Sequence, residues 1–240
     1  MSRTKGEKMT TRLARIAWSC CFACVGVLLL SQAFAADKQK DEETLKNANL
    51  LVQDMLNSKD ISADALAKAN CVLILPGVKK FGFGVGGSGG RGPLLCRRGE
   101  NFEGKWSAPA MFSIGGPSIG LQVGGSSTDF VLLLMNAKVV NQILTGKTKM
   151  GTDATAAAGP GATAASASDA DILTYAKAKG VFAGVSLGGA TVEPDNDANR
   201  RLYDQTVTAT DIVRGTAVKP AGEGESLVAA LDSKLPKHSH

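Results

Sequence analysis

Between Cys71 and Trp106 the chain reads CVLILPGVKKFGFGVGGSGGRGPLLCRRGENFEGKW, and eight of the sixteen residues from Gly77 to Gly92 are glycine. Such a stretch cannot build a core from its own side chains, and glycine inside a strand costs stability through lost backbone entropy. Its repeated use therefore predicts tight curvature, bulges, or a second backbone lying against the bare face. From Phe81 the period is two: Phe81, Phe83 and Val85 alternate with Gly82, Gly84 and Gly86. The same device recurs where Ile119, Leu121 and Val123 alternate with Gly120, Gln122 and Gly124, and where Ala183, Val185 and Leu187 alternate with Gly184, Ser186 and Gly188. Period two is the strand signature. The fold class that follows is α+β, with a curved, largely antiparallel β-sheet or barrel-like core and flanking helices.

The remaining elements fill in around this sheet. Leu45, Ala48, Leu51, Val52, Met55 and Leu56 recur at helical spacing and predict an amphipathic helix over Asp41–Asn57. Ser62 can cap a short helix over Ala63–Ala69, and Cys71–Leu75 reads as a strand that Pro76-Gly77 ends. Phe130–Met135 is uniformly apolar, the pattern of a strand buried on both faces, and a helix over Asn136–Leu144 stops at Gly146. Asp153–Ala170, rich in Ala, Gly, Thr and Ser, fits either a loop or small-residue strands packed close to a neighbour. Strands are expected over Ile172–Ala178 and Val181–Leu187 around Lys179-Gly180. Helices are expected from Asp195 to Tyr203, from Thr210, and over Glu225–Leu235, followed by a mobile tail to His240.

The first 35 residues have the form of an export signal. Arg3, Lys5, Lys8, Arg12 and Arg15 precede an apolar Ile16–Leu30, and Ala33-Phe34-Ala35 is a small-residue cleavage site, so cleavage is expected after Ala35. The apolar run is shorter than the roughly 20 residues of a membrane-spanning helix. Cys20, Cys21 and Cys24 precede Val25–Leu30, whereas a lipidated cysteine would follow it. The chain is accordingly expected in the periplasm or secreted, peripheral to a membrane, as a signal over 1–35 and one domain over 36–240 with a C-terminal helical tail.

Removing that signal changes the charge argument. The whole chain carries 27 Lys and Arg against 22 Asp and Glu; without residues 1–35 these become 22 and 21, a net of +1. Such a balance gives no support for nucleic-acid binding. Charge is polarised instead: Cys71–Trp106 holds Lys79, Lys80, Arg91, Arg97, Arg98 and Lys105 against Glu100 and Glu103, a net of +4. Cys71 and Cys96 are the two cysteines beyond the signal, and they fit either a disulfide in an oxidising compartment or two small buried apolar residues.

Chemistry-bearing patterns are weak. The spacing Gly82, Gly84, Gly87 formally matches a dinucleotide fingerprint, but Gly90-Arg91-Gly92-Pro93 runs on into Leu94-Leu95-Cys96 where a helix should open. Gly146-Lys147-Thr148 lacks the first glycine of a P-loop, Asn141 standing there. The two histidines are His238 and His240, in the tail, which leaves no triad and no zinc set. Ser186 in GVSLGG resembles a nucleophile elbow only loosely. Asp169, Asp171, Asp195 and Asp197 stand beside turns or helix starts, where carboxylates cap. No enzyme, cofactor or metal site is therefore expected.

The basic cluster is what remains, read either as a solvated surface or as a docking face for anionic phospholipid. Lys79, Lys80, Arg91, Arg97, Arg98 and Lys105 would supply charge and Trp106 an interfacial ring. The helix over Asp41–Asn57 could add an apolar face or simply pack on the sheet. The alternative is a structural or envelope-assembly protein that binds another protein or forms a homo-oligomer.

Four blocks carry a family resemblance: CVLILPGVKKFGFGVGGSGGRG, KWSAPAMFSIGGPSIGLQVG, DFVLLLMN and YAKAKGVFAGVSLGG, with Asn-Arg-Arg-Leu-Tyr at Asn199–Tyr203 after the last. In this order and spacing the chain resembles the SYLF domain, a lipid- and actin-binding module, over roughly Leu45–Val213. The resemblance implies a non-enzymatic binding domain whose eukaryotic members bind phosphoinositides and actin filaments. It implies lipid contact through an N-terminal helix, here Asp41–Asn57 with Lys46 near Lys38 and Lys40. Many relatives also carry a basic residue in the loop that reads Ala158-Gly159-Pro160-Gly161-Ala162 here, where this chain has none. An exported chain would not meet actin, so the lipid half of that function is the one expected to transfer.

Overall fold

The computed structural model describes residues 35–83, 85–117, 126–159, 170–216 and 218–235. The expected signal, the Ile119–Val123 alternation, most of the Asp153–Ala170 segment and the tail after residue 235 lie outside them. The chain divides into Met1–Lys40 and Asp41–His240; the architecture below is that of the second unit. No helix among the described residues is long and apolar enough to cross a membrane.

Among the described residues nine strands form one sheet: β1 (Cys71–Phe83), β2 (Val85–Cys96), β3 (Ala110–Pro117), β4 (Ser126–Leu134), β5 (Thr148–Lys149), β6 (Ala156–Ala158), β7 (Ile172–Ala178), β8 (Val181–Gly184) and β9 (Thr191–Pro194). Their order is β5-β9-β3-β2-β1-β4-β7-β6, with β8 also on β7, and every pairing is antiparallel except β6 with β7. The sheet curls, and helices lie on both faces, as the α+β reading expects. The helices are α1 (residues 41–57 of the second unit), α2 (Ala63–Lys68), α3 (Ala137–Thr145), α4 (Asn196–Tyr203), α5 (Ala209–Arg214) and α6 (Glu223–Lys234).

Strand alternation sorts the core into two layers. Leu73, Leu94, Phe112, Leu132 and Leu134 face α3 and α5, meeting Val139, Ile143, Ile212 and Val213. On the other face Val72, Ile74, Leu95, Val131 and Leu133 meet Ala48, Leu51, Val52 and Met55 of α1 and Leu227 and Leu231 of α6. Each such side chain contributes about 1.5–3 kcal/mol when fully buried. The apolar face of α1 is thus occupied by the sheet, and packing accounts for its amphipathicity.

Pro76-Gly77 does not end the first strand. The register of β1 with β4 slips by one residue between Leu75 and Val78, a β-bulge, and the strand continues to Phe83. Gly77 sits there at φ 62 and donates its N–H to Asp129 Oδ1 at 2.8 Å. The extra residue switches the alternation, so that Cys71, Leu73, Leu75 and then Val78 all face the same core. It also draws β1 onto β2: a Cβ at Gly92 would lie 1.8 Å from the Ile74 carbonyl oxygen, and one at Gly90 2.7 Å from Val78. Close backbone approach is the reason for glycine here.

Other expectations shift by their local chemistry. Thr208, not Thr210, caps α5, because Asp211 at the third position completes a reciprocal capping box with it. Asn136 caps α3 through Val139 N–H at 3.0 Å. The strand expected over Val181–Leu187 stops at Gly184, since β8 takes only the second half of β7's edge and β6 holds the first. Lys179 and Gly180, at φ 51 and 83, form the two-residue turn between β7 and β8. Within the low-complexity segment Ala156–Ala158 is a strand, and a Cβ at Gly159 would meet the Tyr175 ring at 2.0 Å. The small residues lie close to their neighbour.

Candidate functional site

The six cations and Trp106 do not form one face. Lys79 and Lys80 stand toward the far end of the β1–β2 ribbon, where Lys79 pairs with Gly89 and Lys80 with Ser88. Being consecutive on a strand, they point to opposite sides. Arg97 lies at the other end, its N–H donated to the Asn70 carbonyl at 2.9 Å. Nine residues of β1 separate the two levels, roughly 25–30 Å at ~3.3 Å per residue.

Arg91 is engaged inside the fold. Its Nη1 lies 3.0 Å from Asp41 Oδ1, off the hydrogen-bond direction, and 3.2 Å from Asp195 Oδ2. Arg201 Nε donates to the other oxygen of Asp41 at 2.7 Å. Asp41 is fully buried, so this four-residue cluster ties the start of α1 to β2 and α4. Asp195 also caps α4 through Ala198 N–H at 3.0 Å, the role expected of it.

At the base of the ribbon Cys71 and Cys96 face each other and form a disulfide, both fully buried. Immediately beyond, Arg97 and Trp106 close a tight loop as an isolated antiparallel bridge. Arg98 N–H donates to Lys105 O at 2.9 Å and Gly104 N–H to Arg98 O at 2.8 Å, which holds Arg98 and Lys105 side by side. Gly104 is required, since a Cβ there would stand 2.7 Å from the Arg98 oxygen. Phe102, at φ 57, turns into the core.

Trp106 is not an interfacial ring. It is 2% exposed, its backbone N–H donates to Asp232 Oδ1 of α6 at 3.0 Å, and its ring face lies 4.7 Å from the Arg97 guanidinium. Such a stack contributes about 0.5–2 kcal/mol. Arg97 is 3% exposed; burial depresses its pKa, Asp232 opposes that shift, and the guanidinium stays charged. Lys105 is exposed and Arg98 half-buried.

Two clefts meet at Arg97. The larger, about 630 Å³, runs between the loop and α6 and includes Lys105, Trp106, Asp232 and Leu235. The smaller, about 230 Å³, lies between the loop and the end of α5 and includes Arg98, Glu100 and Arg214. Sequence reasoning assigned no site role to Asp41, Arg201, Arg214 or Asp232, which lie far from Cys71–Trp106 in sequence, although Arg201 stands in the Asn199–Tyr203 block.

Among the described residues no group of His, Cys, Asp and Glu could hold a metal ion. Ser186 is exposed in the loop after β8. Asp171 accepts hydrogen bonds from Asn136 Nδ2 at 2.7 Å and from Thr155 N and Oγ1 at 2.8 and 2.7 Å. Burial would raise its pKa, but these bonds hold it below the ordinary carboxylate value. Its role is structural, and Asp169 lies outside the described residues.

The smaller cleft is cationic, the larger formally neutral, and an α+β sheet with such a cleft suits a binding domain; its relatives are named as binding or regulatory proteins. The Ysc84 family, described as "Las17-binding protein actin regulator", matches residues 115–234. This chain belongs to that family, which is the SYLF family of the sequence resemblance. It is 36% identical over 188 residues to the human SH3 domain-containing YSC84-like protein 1, covering 76% of this chain and 54% of that protein. The mouse protein of the same name is 34% identical over 186 residues, covering 75% and 53%. LAS seventeen-binding protein 3 of Saccharomyces cerevisiae is 31% identical over 182 residues, covering 72% of this chain and 39% of the yeast protein. The chain thus spans about half the length of these relatives or less.

Proposed function

We propose that this is a non-enzymatic lipid-binding protein of the bacterial envelope that docks on anionic phospholipid headgroups. One observation carries the reading: the 97–106 loop sets Arg98 beside Lys105 at the base of the ribbon, above the buried charge of Arg97. Each cation close to an anionic surface contributes about 1 kcal/mol, enough in combination for reversible docking without a deep pocket. Lys79 and Lys80 are a second, separate point of contact. Export after cleavage at Ala35 belongs to this proposal, and the Cys71–Cys96 disulfide supports it, since such bonds persist in oxidising compartments.

Flotation with vesicles tests the reading. The exported protein should float with phosphatidylglycerol vesicles, not with phosphatidylcholine, and should be released by high salt. Arg98→Glu/Lys105→Glu should abolish flotation with the thermal midpoint unchanged, and Lys79→Glu/Lys80→Glu should weaken it. Equal binding to neutral vesicles refutes electrostatic docking. A second reading, a module that binds another protein or itself, draws on the relatives' names and on Leu50 and Val181, which are 53% and 54% exposed. A stable assembly in size-exclusion chromatography, indifferent to lipid, would favour it.

A further inference from the structure

We infer that the smaller cleft is a binding site for a compact phosphoryl dianion, a terminal phosphate monoester, with Arg214 as its third guanidinium. The inference deepens the docking reading and rests on it only for the lipid as the source of that phosphate. At about 230 Å³ the cleft is smaller than the roughly 300–1,000 Å³ of ordinary small-molecule pockets. It has room for one phosphoryl group, with the rest of the ligand lying outside the cleft.

Charge selects the ligand. Arg97, Arg98 and Arg214 line the cleft against a single carboxylate, Glu100, which leaves a formal excess of two positive charges. A phosphate monoester carries about −1.5 to −2 at neutral pH, and guanidinium forks match its oxygens in pairs. The forks are already held: Arg97 lies over Trp106, and Arg214 Nη2 donates to Asn141 Oδ1 on α3. Arg98 adds a donor whose Nε–H is buried and meets no acceptor among the described residues, an unpaired group that water or an anion could satisfy. Backbone leaves the approach clear at Gly99, where nothing stands within 4 Å of a built Cβ.

Calorimetric titration of the exported protein with inorganic phosphate is the first arm, and flotation on vesicles of phosphatidic acid against phosphatidylglycerol is the second. Saturable phosphate binding is expected, weakened about tenfold or more in Arg214→Gln, the cost of one lost charge-assisted pair. The wild type should prefer phosphatidic acid, and Arg214→Gln should lose that preference while still floating on phosphatidylglycerol. Arg214 is exposed, and an unchanged thermal midpoint verifies the fold. Absence of saturable phosphate binding, or Arg214→Gln binding phosphate as tightly as the wild type, overturns the inference and leaves general docking intact. Arg214-dependent phosphate binding without flotation on any vesicle supports the cleft, refutes membrane docking, and makes a soluble phosphate ester the ligand.

Discussion

Reducing the Cys71–Cys96 disulfide should destabilise the domain by an amount set by the loop it closes. The two residues are 25 apart in sequence. In the chain-entropy account a loop of that length removes about 12 cal/mol/K from the unfolded ensemble, or about 3.5 kcal/mol at room temperature. For a unit of this size each kcal/mol corresponds to roughly 2–4 °C, so the midpoint should fall by about 7–14 °C. Both cysteines are fully buried, and reductant should therefore act only on unfolded protein. The assay is denaturation of oxidised protein against protein reduced in denaturant and refolded with reductant, with free thiols titrated in each sample. This comparison leaves the core atoms in place, whereas Cys71→Ala/Cys96→Ala would add a cavity term. Coincident midpoints, with two free thiols in the reduced sample only, would refute the reasoning and mean that the sheet alone restrains these strands.

The other predictions address the sheet, the ionic cluster and acid stability. Gly92→Ala should cost about 3 kcal/mol or more by forcing β2 off the Ile74 carbonyl, measured by urea denaturation, whereas Gly146→Ala, with open space and extended backbone, should be near neutral. Asp41→Ala should cost about 3 kcal/mol, because it removes the buried carboxylate that both Arg91 and Arg201 face; equal stability would show the cluster to be dispensable. The lowered pKa of Asp171 means that its contribution is fully present above the ordinary carboxylate value, about 3.9, and is lost as pH falls through the lower folded value. Asp171→Asn should therefore flatten the acid limb of a stability-against-pH curve without changing its neutral-to-alkaline shape.

Period two across the glycine segment, the uniform Phe130–Met135 run and the cap at Asp195 were legible because each is a local signal. Glycine also announced close backbone approach, as at Gly92, though not which backbone. The bulge at Pro76-Gly77 was not legible, since the same dipeptide ends strands elsewhere and its effect here depends on Asp129 across the sheet. The site was only half legible. Proximity in sequence grouped Lys79 with Arg98, yet a hairpin register sends them to opposite ends. Composition could not reveal that Arg91 meets Asp41 and Asp195, or that Trp106 lies beneath Arg97 and α6, because those partners come from distant segments.

The bulge in β1 acts as a phase shifter for everything beyond it. Deleting Gly77 would restore an uninterrupted two-residue rhythm and rotate the outer half of the ribbon by half a turn, exchanging the sides on which Lys79 and Lys80 project while leaving Cys71–Leu75 in place. A single-residue deletion could thus invert one end of the molecule without touching a charged residue, and insertions or losses at this point among relatives would be read as changes of orientation.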